Sequence, residues 1–358
     1  MTKSNNLSIL HISDGKSGHD SAASNIICAL ERVYESDANI HKLEVRLKFK
    51  FLLPLMRLLI NHKIFHQQLA KYHGLIDFFY EKKTQDDYTK TTYDYVVSGG
   101  GNTGYINAYL GKFHKIKNIY ASRLRGLKPS LFWLLPTIYE DEKYPNAIYT
   151  EFSPSNKALS GKLKPKESLL KSYKITEVKP IYLLLFGGNG AGYFYQKEDF
   201  ENTINGFLTL LERHDAIGLM STSRRTGLNM ESFLKEIIET SELKNRLKYS
   251  VFFNHEPEYI MQDFLSLSDS IFVTEDSGAM LIETLLTNKP VCTLRPKNAN
   301  PTPIYKAFLN SKSKYISKSI SGNELESLLK NDLKPNTIPS PIDTFDVQLK
   351  NFINQRGS

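Results

Sequence analysis

Cysteine is almost missing from this chain: its 358 residues include two, Cys28 and Cys292. Each lies in an apolar stretch, which points to buried free thiols and excludes a disulfide-stapled scaffold or a cysteine zinc site. Long apolar runs are missing too. The unbroken ones, at 51–56 and 181–186, stop far short of the roughly 20 residues that a spanning helix needs. The amino terminus, MTKSNNLSILHISDG, has no long apolar segment followed by a small-residue cleavage site. The expectation is therefore a cytoplasmic protein without a secretory signal. No G-x-x-x-x-G-K-[ST] phosphate loop occurs, and the histidines show neither H-E-x-x-H nor a clustered ligand spacing, so no metal and no cofactor is expected.

What remains is an ordinary globular composition, 41% hydrophobic and 23% charged. It excludes a disordered tail protein and a collagen-like fibre, and the length fits two domains. Lys and Arg number 46 against 38 acids, a formal charge of +8. That surplus concentrates anionic partners near the surface without selecting among phosphates, nucleic acid and lipid.

Two alternations of strand-like and helix-like segments run along the chain. The first has strands at 7–13, 39–47, 93–98, 116–121 and 131–135, with helical patterns at 22–33 and through most of 48–82. The second has strands at 181–186, 216–220, 249–253, 270–274 and 290–294, separated by helices. Strands that alternate with helices and end in glycine loops predict parallel α/β sheets. The expected organisation is an N-terminal Rossmann-like domain at 1–152, a lysine- and proline-rich linker at 153–180, a C-terminal Rossmann-like domain at 181–340, and a last helix in 341–358 returning to the first domain. Two such domains are expected to face a central cleft with the carboxyl ends of their strands, where α/β sheets hold ligands.

Four strand-end loops are rich in glycine and small hydroxyl residues: 14–21, 98–103, 187–192 and 274–278. Such loops let backbone N–H groups approach an anion. Gly187, Gly188 and Asn189 open one of them. Ser223, Arg224 and Arg225 follow another strand, and guanidinium groups beside hydroxyls suit a phosphate, although an exposed basic turn accounts for them equally well. The string Thr274-Glu275-Asp276-Ser277-Gly278-Ala279-Met280-Leu281-Ile282-Glu283 carries more polar groups at a helix start than capping needs. A helix start can hold a diphosphate, and Glu283 can accept hydrogen bonds from ribose hydroxyls. In the first half, Asp14-Gly15-Lys16-Ser17-Gly18-His19-Asp20 combines a histidine with carboxylates at a strand end. His19 or Asp14 is the candidate base for an acceptor hydroxyl. Lys16, Ser17, Gly100, Asn102 and Thr103 are the candidate acceptor-side groups.

Residues 48–63 interleave Lys48, Lys50, Arg57 and Lys63 with Leu52, Leu53, Leu58 and Leu59, as a segment lying on an anionic inner leaflet does. A buried helix with snorkelling cations explains the same pattern. The stretch 112–128 holds no acid at all, yet no RNA motif accompanies it, and no specific nucleic-acid partner is expected.

Three strings taken together, DGKSGH at 14–19, SRRT at 223–226 and TEDSGAMLIETLLTNKPV at 274–291, resemble the mitochondrial-fission Elm-like family in its bacterial branch, which is similar to GT-B glycosyltransferases. The loop at 14–19 also looks like the glycine-histidine loop of the GT-B enzyme that glycosylates the peptidoglycan lipid precursor. The resemblance implies two Rossmann-like domains, with an activated, nucleotide-linked sugar donor held mainly by the second. It implies a metal-independent glycosyltransferase acting on a cell-surface glycan or glycolipid; the segment at 48–63 would place it peripherally on the inner membrane face. The alternative is a GT-B-shaped binding or scaffold protein that transfers nothing.

Overall fold

The structure, a computed structural model, describes residues 7–62, 78–82, 92–138, 144–154 and 164–357. The chain forms two compact units, Met1–Asn156 with Pro339–Ser358, and Lys157–Ile338.

The first unit runs β1 (Leu7–Ser13), α1 (Ser17–Tyr34), β2 (Ala38–Leu47), α2 (Leu53–Asn61), β3 (Tyr80–Lys82), β4 (Tyr95–Ser98), α3 (Thr103–Phe113), β5 (Lys117–Tyr120), β6 (Leu135–Thr137) and β7 (Ala147–Tyr149). Its main sheet has the order β3-β2-β1-β4-β5. Strand β1 lies between parallel neighbours, β2 and β4, and is buried along nearly all its length. That position explains LSILHIS, an apolar run without a solvent face. Helix α1 covers one face with Ala23, Ile26, Ile27 and Leu30, and ends where Glu35 turns left-handed at φ 50°. The order reverses at β1, so the loops after β1 and β4 leave neighbouring strands toward opposite sides. The crevice between them is where an α/β sheet places its ligand.

The second unit runs α4 (Lys166–Ser172), β8 (Ile181–Leu185), α5 (Lys197–Arg213), β9 (Ile217–Ser221), α6 (Leu228–Thr240), β10 (Leu247–Val251), α7 (Met261–Leu267), β11 (Ser270–Thr274), α8 (Gly278–Leu285), β12 (Val291–Arg295), α9 (Pro303–Lys312) and β13 (Lys318–Ser321). Its strands, ordered β10-β9-β8-β11-β12-β13, all pair in parallel. Here the order reverses between β8 and β11, which puts the loops at 186–192 and 275–277 at the corresponding crevice.

The last helix, α10 (Pro341–Gly357), belongs to the first unit. Phe345 and Leu349 are fully buried in the cluster that holds Ile9 and Ile27. Arg32 of α1 grips Asp346 through both carboxylate oxygens, at 2.6 and 2.9 Å.

Two sequence expectations meet a different arrangement. Within 153–180, α4 buries Leu169 and so adds a packed helix to the second unit; the lysines conceal one apolar position among exposed ones. In 48–63, Leu52, Leu53 and Leu59 pack against the core of the first unit beside the buried Met56 and Ile60, while Lys63 lies outside the described residues. Of the four leucines read as membrane-facing, only Leu58 is exposed. Phe49, Phe51 and Leu55 are exposed with it, at 46%, 75% and 45% of their surface. Among the described residues, no helix is long and apolar enough to cross a membrane.

Candidate active site

At the crevice of the first unit, the loop after β1 brings Asp14 against His19 in the first turn of α1. The imidazole Nδ1 lies 2.9 and 3.0 Å from the two carboxylate oxygens. A carboxylate only accepts, so Nδ1 donates, and the tautomer leaves Nε2 able to take a proton. The loop after β4 is moulded onto this pair. Gly100 and Gly101 have φ of +84° and +64°, and a Cβ there would stand 2.4 Å from the His19 ring and 2.3 Å from Asp14 Oδ2. Only glycine allows the backbone to approach so closely.

The other acceptor-side candidates divide. Lys16 is exposed and stands 3.5 Å from Asp14 Oδ2, and Ser17 is the first residue of α1. Thr103, however, is buried and donates its hydroxyl to Gly100 O at 2.6 Å, so it shapes the loop instead of facing a substrate. Asn102 precedes α3, and its carbonyl accepts from Tyr80 Oη at 2.7 Å.

In the second unit a cavity of about 410 Å³ gathers Ser223 and Arg224 after β9 with Met280 and Glu283 on α8. Leu185, Ser221 and Thr222 also line it, and a further wall comes from Phe253, Glu258, Tyr259 and Ile260 after β10 with Met261 at the start of α7. Tyr259 is 95% exposed and meets Phe253 edge-on. Sequence reading missed this wall, because an aromatic in a polar loop gives no periodic signal.

The turn that carries Ser223 and Arg224 is held from below. Glu231 on α6 is fully buried and accepts from the Asn254 backbone N–H at 2.9 Å, from Asn254 Nδ2 at 2.8 Å and from the Thr222 hydroxyl. Asn254 Nδ2 in turn reaches Ser223 O at 3.0 Å. Glu231→Gln replaces an acceptor-only group by one that must aim an N–H at donors. The expected loss is about 1–3 kcal/mol of stability, read as a lower urea midpoint with an unchanged slope.

The rest of the expected donor set lies outside the lining of that cavity. Thr274 is buried at the end of β11, where its Oγ1 accepts from Gly187 N–H at 2.7 Å. Asp276 is turned inward, accepting from Gly188 N–H at 3.1 Å and pairing with Arg225 at 2.6 Å. Burial pushes its carboxyl above the ordinary range, with the Thr274 hydroxyl and Arg225 opposing. Arg225 is thereby committed to Asp276. Asn189 Oδ1 accepts from Tyr195 N–H and fixes the loop. Ser277 occupies the position before α8 without a side-chain capping bond.

Glu275 is buried and held by side chains of its own unit. Its carboxylate accepts from Tyr193 Oη, Thr293 Oγ1, the Ser319 hydroxyl and the Arg295 guanidinium. Burial raises its pKa, but these donors together outweigh burial and hold it below the usual range. It ties the end of β11 to β12 and β13.

A glycosyltransferase from Rickettsia africae matches 99% of this chain and 95% of its own, at 12% identity and a TM-score of 0.50. A UDP-GlcNAc 2-epimerase from Methanocaldococcus jannaschii matches 97% of this chain and 99% of its own, at 15% identity and a TM-score of 0.53. At such identities the likeness is one of fold. No match was found among curated proteins. A family match covers residues 139–310, which include the strings at 223–226 and 274–291 but not the loop at 14–19. The resemblance carried by those strings thus holds: residues 139–310 match the family described as Mitochondrial fission ELM1, in a chain with the α/β fold of GT-B glycosyltransferases and a nucleotide-sugar epimerase.

Proposed function

We propose that the protein is a glycosyltransferase that takes a sugar from a nucleotide-linked donor bound in the cavity of the second unit. The observation that carries this reading is the convergence of Arg224, Glu283 and Tyr259 on one space of about 410 Å³. A guanidinium suits the diphosphate, a carboxylate suits ribose hydroxyls, and an exposed aromatic offers a face to a base. The likeness to a glycosyltransferase and a UDP-GlcNAc 2-epimerase supports the donor class. The acceptor is assigned to the first unit. There His19, oriented by Asp14, is the group suited to take the proton of an acceptor hydroxyl.

The test is nucleotide release by the purified chain from UDP-, GDP-, dTDP- and CMP-sugars in the presence of bacterial envelope lipid and glycan extracts. Release that depends on extract and tracks with sugar incorporation supports transfer. Donor binding without release would assign the chain to the binding or scaffold class.

Peripheral membrane association belongs to the same reading, on a revised set of residues. Phe49, Phe51, Leu55 and Leu58 are exposed together with Lys48, Lys50 and Arg57. Residues 45–76 contain no acid. Apolar side chains interleaved with cations suit an anionic leaflet, at about 1 kcal/mol per cation near the surface. Flotation with vesicles rich in phosphatidylglycerol is expected to recover the wild type, and to lose a Lys48→Glu, Lys50→Glu, Arg57→Glu variant. Equal recovery would contradict a membrane role for this face.

A further inference from the structure

We infer that a second cavity, within the first unit, binds an amphipathic anion: a phosphate or carboxylate carried on an apolar body. Identifying that molecule as the acceptor rests on the transfer reading above; its binding does not.

The cavity measures about 480 Å³, within the size range of small-molecule sites. One part of its wall is mainly apolar, made by Ala22 and Ile26 of α1 with Pro136, Ile138 and Pro154, and includes the hydroxyl residues Thr137, Thr150 and Ser153. The other part carries Ser122, Arg123 and Arg125, and among the described residues no carboxylate lines it. The segment that carries the two arginines lies in a stretch with no acid between residues 95 and 139, whereas Glu151 falls between the lining residues Thr150 and Ser153. Arg125 is presented by a tight turn. Leu124 and Leu127 on either side are buried, at 8% and 4% exposure, and Leu127 N–H closes the turn on Leu124 O at 2.9 Å. Arg125 and Gly126 are both left-handed, at φ 50° and 86°. The two buried leucines hold that strained pair in place and leave the Arg125 side chain exposed.

This chemistry selects its ligand. A guanidinium binds a phosphate or carboxylate with paired, charge-assisted hydrogen bonds, and the proline and isoleucine wall favours hydrocarbon over sugar or base. A bare anion gains only the first interaction, and a neutral or cationic amphiphile only the second. The cavity also continues from the proposed base. Ala22 follows His19 by one turn of α1, and the two lie side by side on the glycine loop: a Cβ at Gly99 would stand 2.3 Å from His19 O and 3.0 Å from the Ala22 methyl. Consecutive turns of one helix thus carry the base and the cavity wall.

Calorimetric titration of the full chain tests this with four probes below their micelle concentrations: decyl phosphate, decanoate, decyltrimethylammonium and inorganic phosphate. Decyl phosphate and decanoate are expected to bind about tenfold or more tightly than the other two. Arg125→Gln is expected to weaken decyl phosphate about tenfold or more, Arg125→Lys to restore part of that loss, and Ala22→Leu to weaken it by filling the cavity. Phe51→Asp, on the exposed patch, is expected to leave affinity unchanged. Arg125 is exposed, so its variants report on binding without disturbing the core; an unchanged melting temperature checks this. Equal binding of the cationic amphiphile, an Arg125→Gln variant of wild-type affinity, or loss of binding in Phe51→Asp would overturn the inference. No donor is present and no turnover is read. Binding without transfer therefore counts against the transferase reading alone, and transfer without binding counts against this cavity alone.

Discussion

His19→Ala is expected to lower turnover about 10²–10⁴-fold, the range for losing a general base, while donor affinity stays within about twofold because the donor is assigned to the other unit. The expectation follows from the geometry of one pair. Asp14 takes the Nδ1 hydrogen at 2.9 Å, which leaves Nε2 as the nitrogen that can accept. Asp14→Asn keeps the shape but can rotate its amide N–H toward Nδ1, favouring the wrong tautomer, and is expected to lose activity by a comparable factor. Gly100→Ala extends the same test to the loop. Its Cβ would stand 2.4 Å from the imidazole at a backbone angle that suits glycine, so the ring must move and activity must fall with it. Steady-state rates with a fixed donor, beside donor titrations of each variant, check all three. Near-wild-type turnover in both His19→Ala and Asp14→Asn would place the base elsewhere.

Arg224→Ala is expected to weaken donor binding by about 1.5–3 kcal/mol, roughly 10- to 150-fold, if its guanidinium meets the diphosphate through a charge-assisted hydrogen bond. The neighbouring arginine is expected to behave differently. Arg225 pairs with the buried Asp276 at 2.6 Å, so Arg225→Ala leaves a carboxylate without its cation and lowers thermal stability as well as affinity. Calorimetry and a thermal melt on each variant separate the two roles. An Arg224→Ala variant with wild-type donor affinity and an Arg225→Ala variant without it would exchange their assignments.

The central parallel strands of both units were legible, whereas the strand expected at 131–135 begins only at Leu135, and the short β3 and β7 gave no apolar run to read. Residues 270–274 read as a strand on apolar continuity alone and form β11 with the same ends. Strand β13, of which only Ile320 is buried, gives no such run, and α4 hides one buried leucine among lysines. The groups that carry the proposed site, Asp14 and Arg224 in loops after strands and Glu283 on a helix that follows one, stand in the sequence as charged residues near strand ends. Side-chain direction was illegible. Glu275 and Asp276 read as ligand groups because the string is polar, but the sheet turns both carboxylates inward, and strand-end spacing does not encode which way a side chain points. Glu231 and Asn254, which hold the arginine turn, are nine and 23 positions from their partners, beyond any local motif. The glycines at 99, 101 and 104 have the G-x-G-x-x-G spacing between a strand and a helix, a pattern associated with dinucleotides; here the close approach they permit is taken by His19 and Asp14.

The central claim is that a nucleotide sugar sits in the cavity walled by the loops after β9 and β10 and by α8. Hydrogen exchange of the full chain tests it most directly, using whichever of UDP-, GDP-, dTDP- and CMP-sugars titrates most tightly. The account predicts protection concentrated in peptides covering 221–226, 253–261 and 278–285, and lost in Arg224→Ala at the same ligand concentration. Protection confined to other segments, or no binding by any of the four donors, would contradict it.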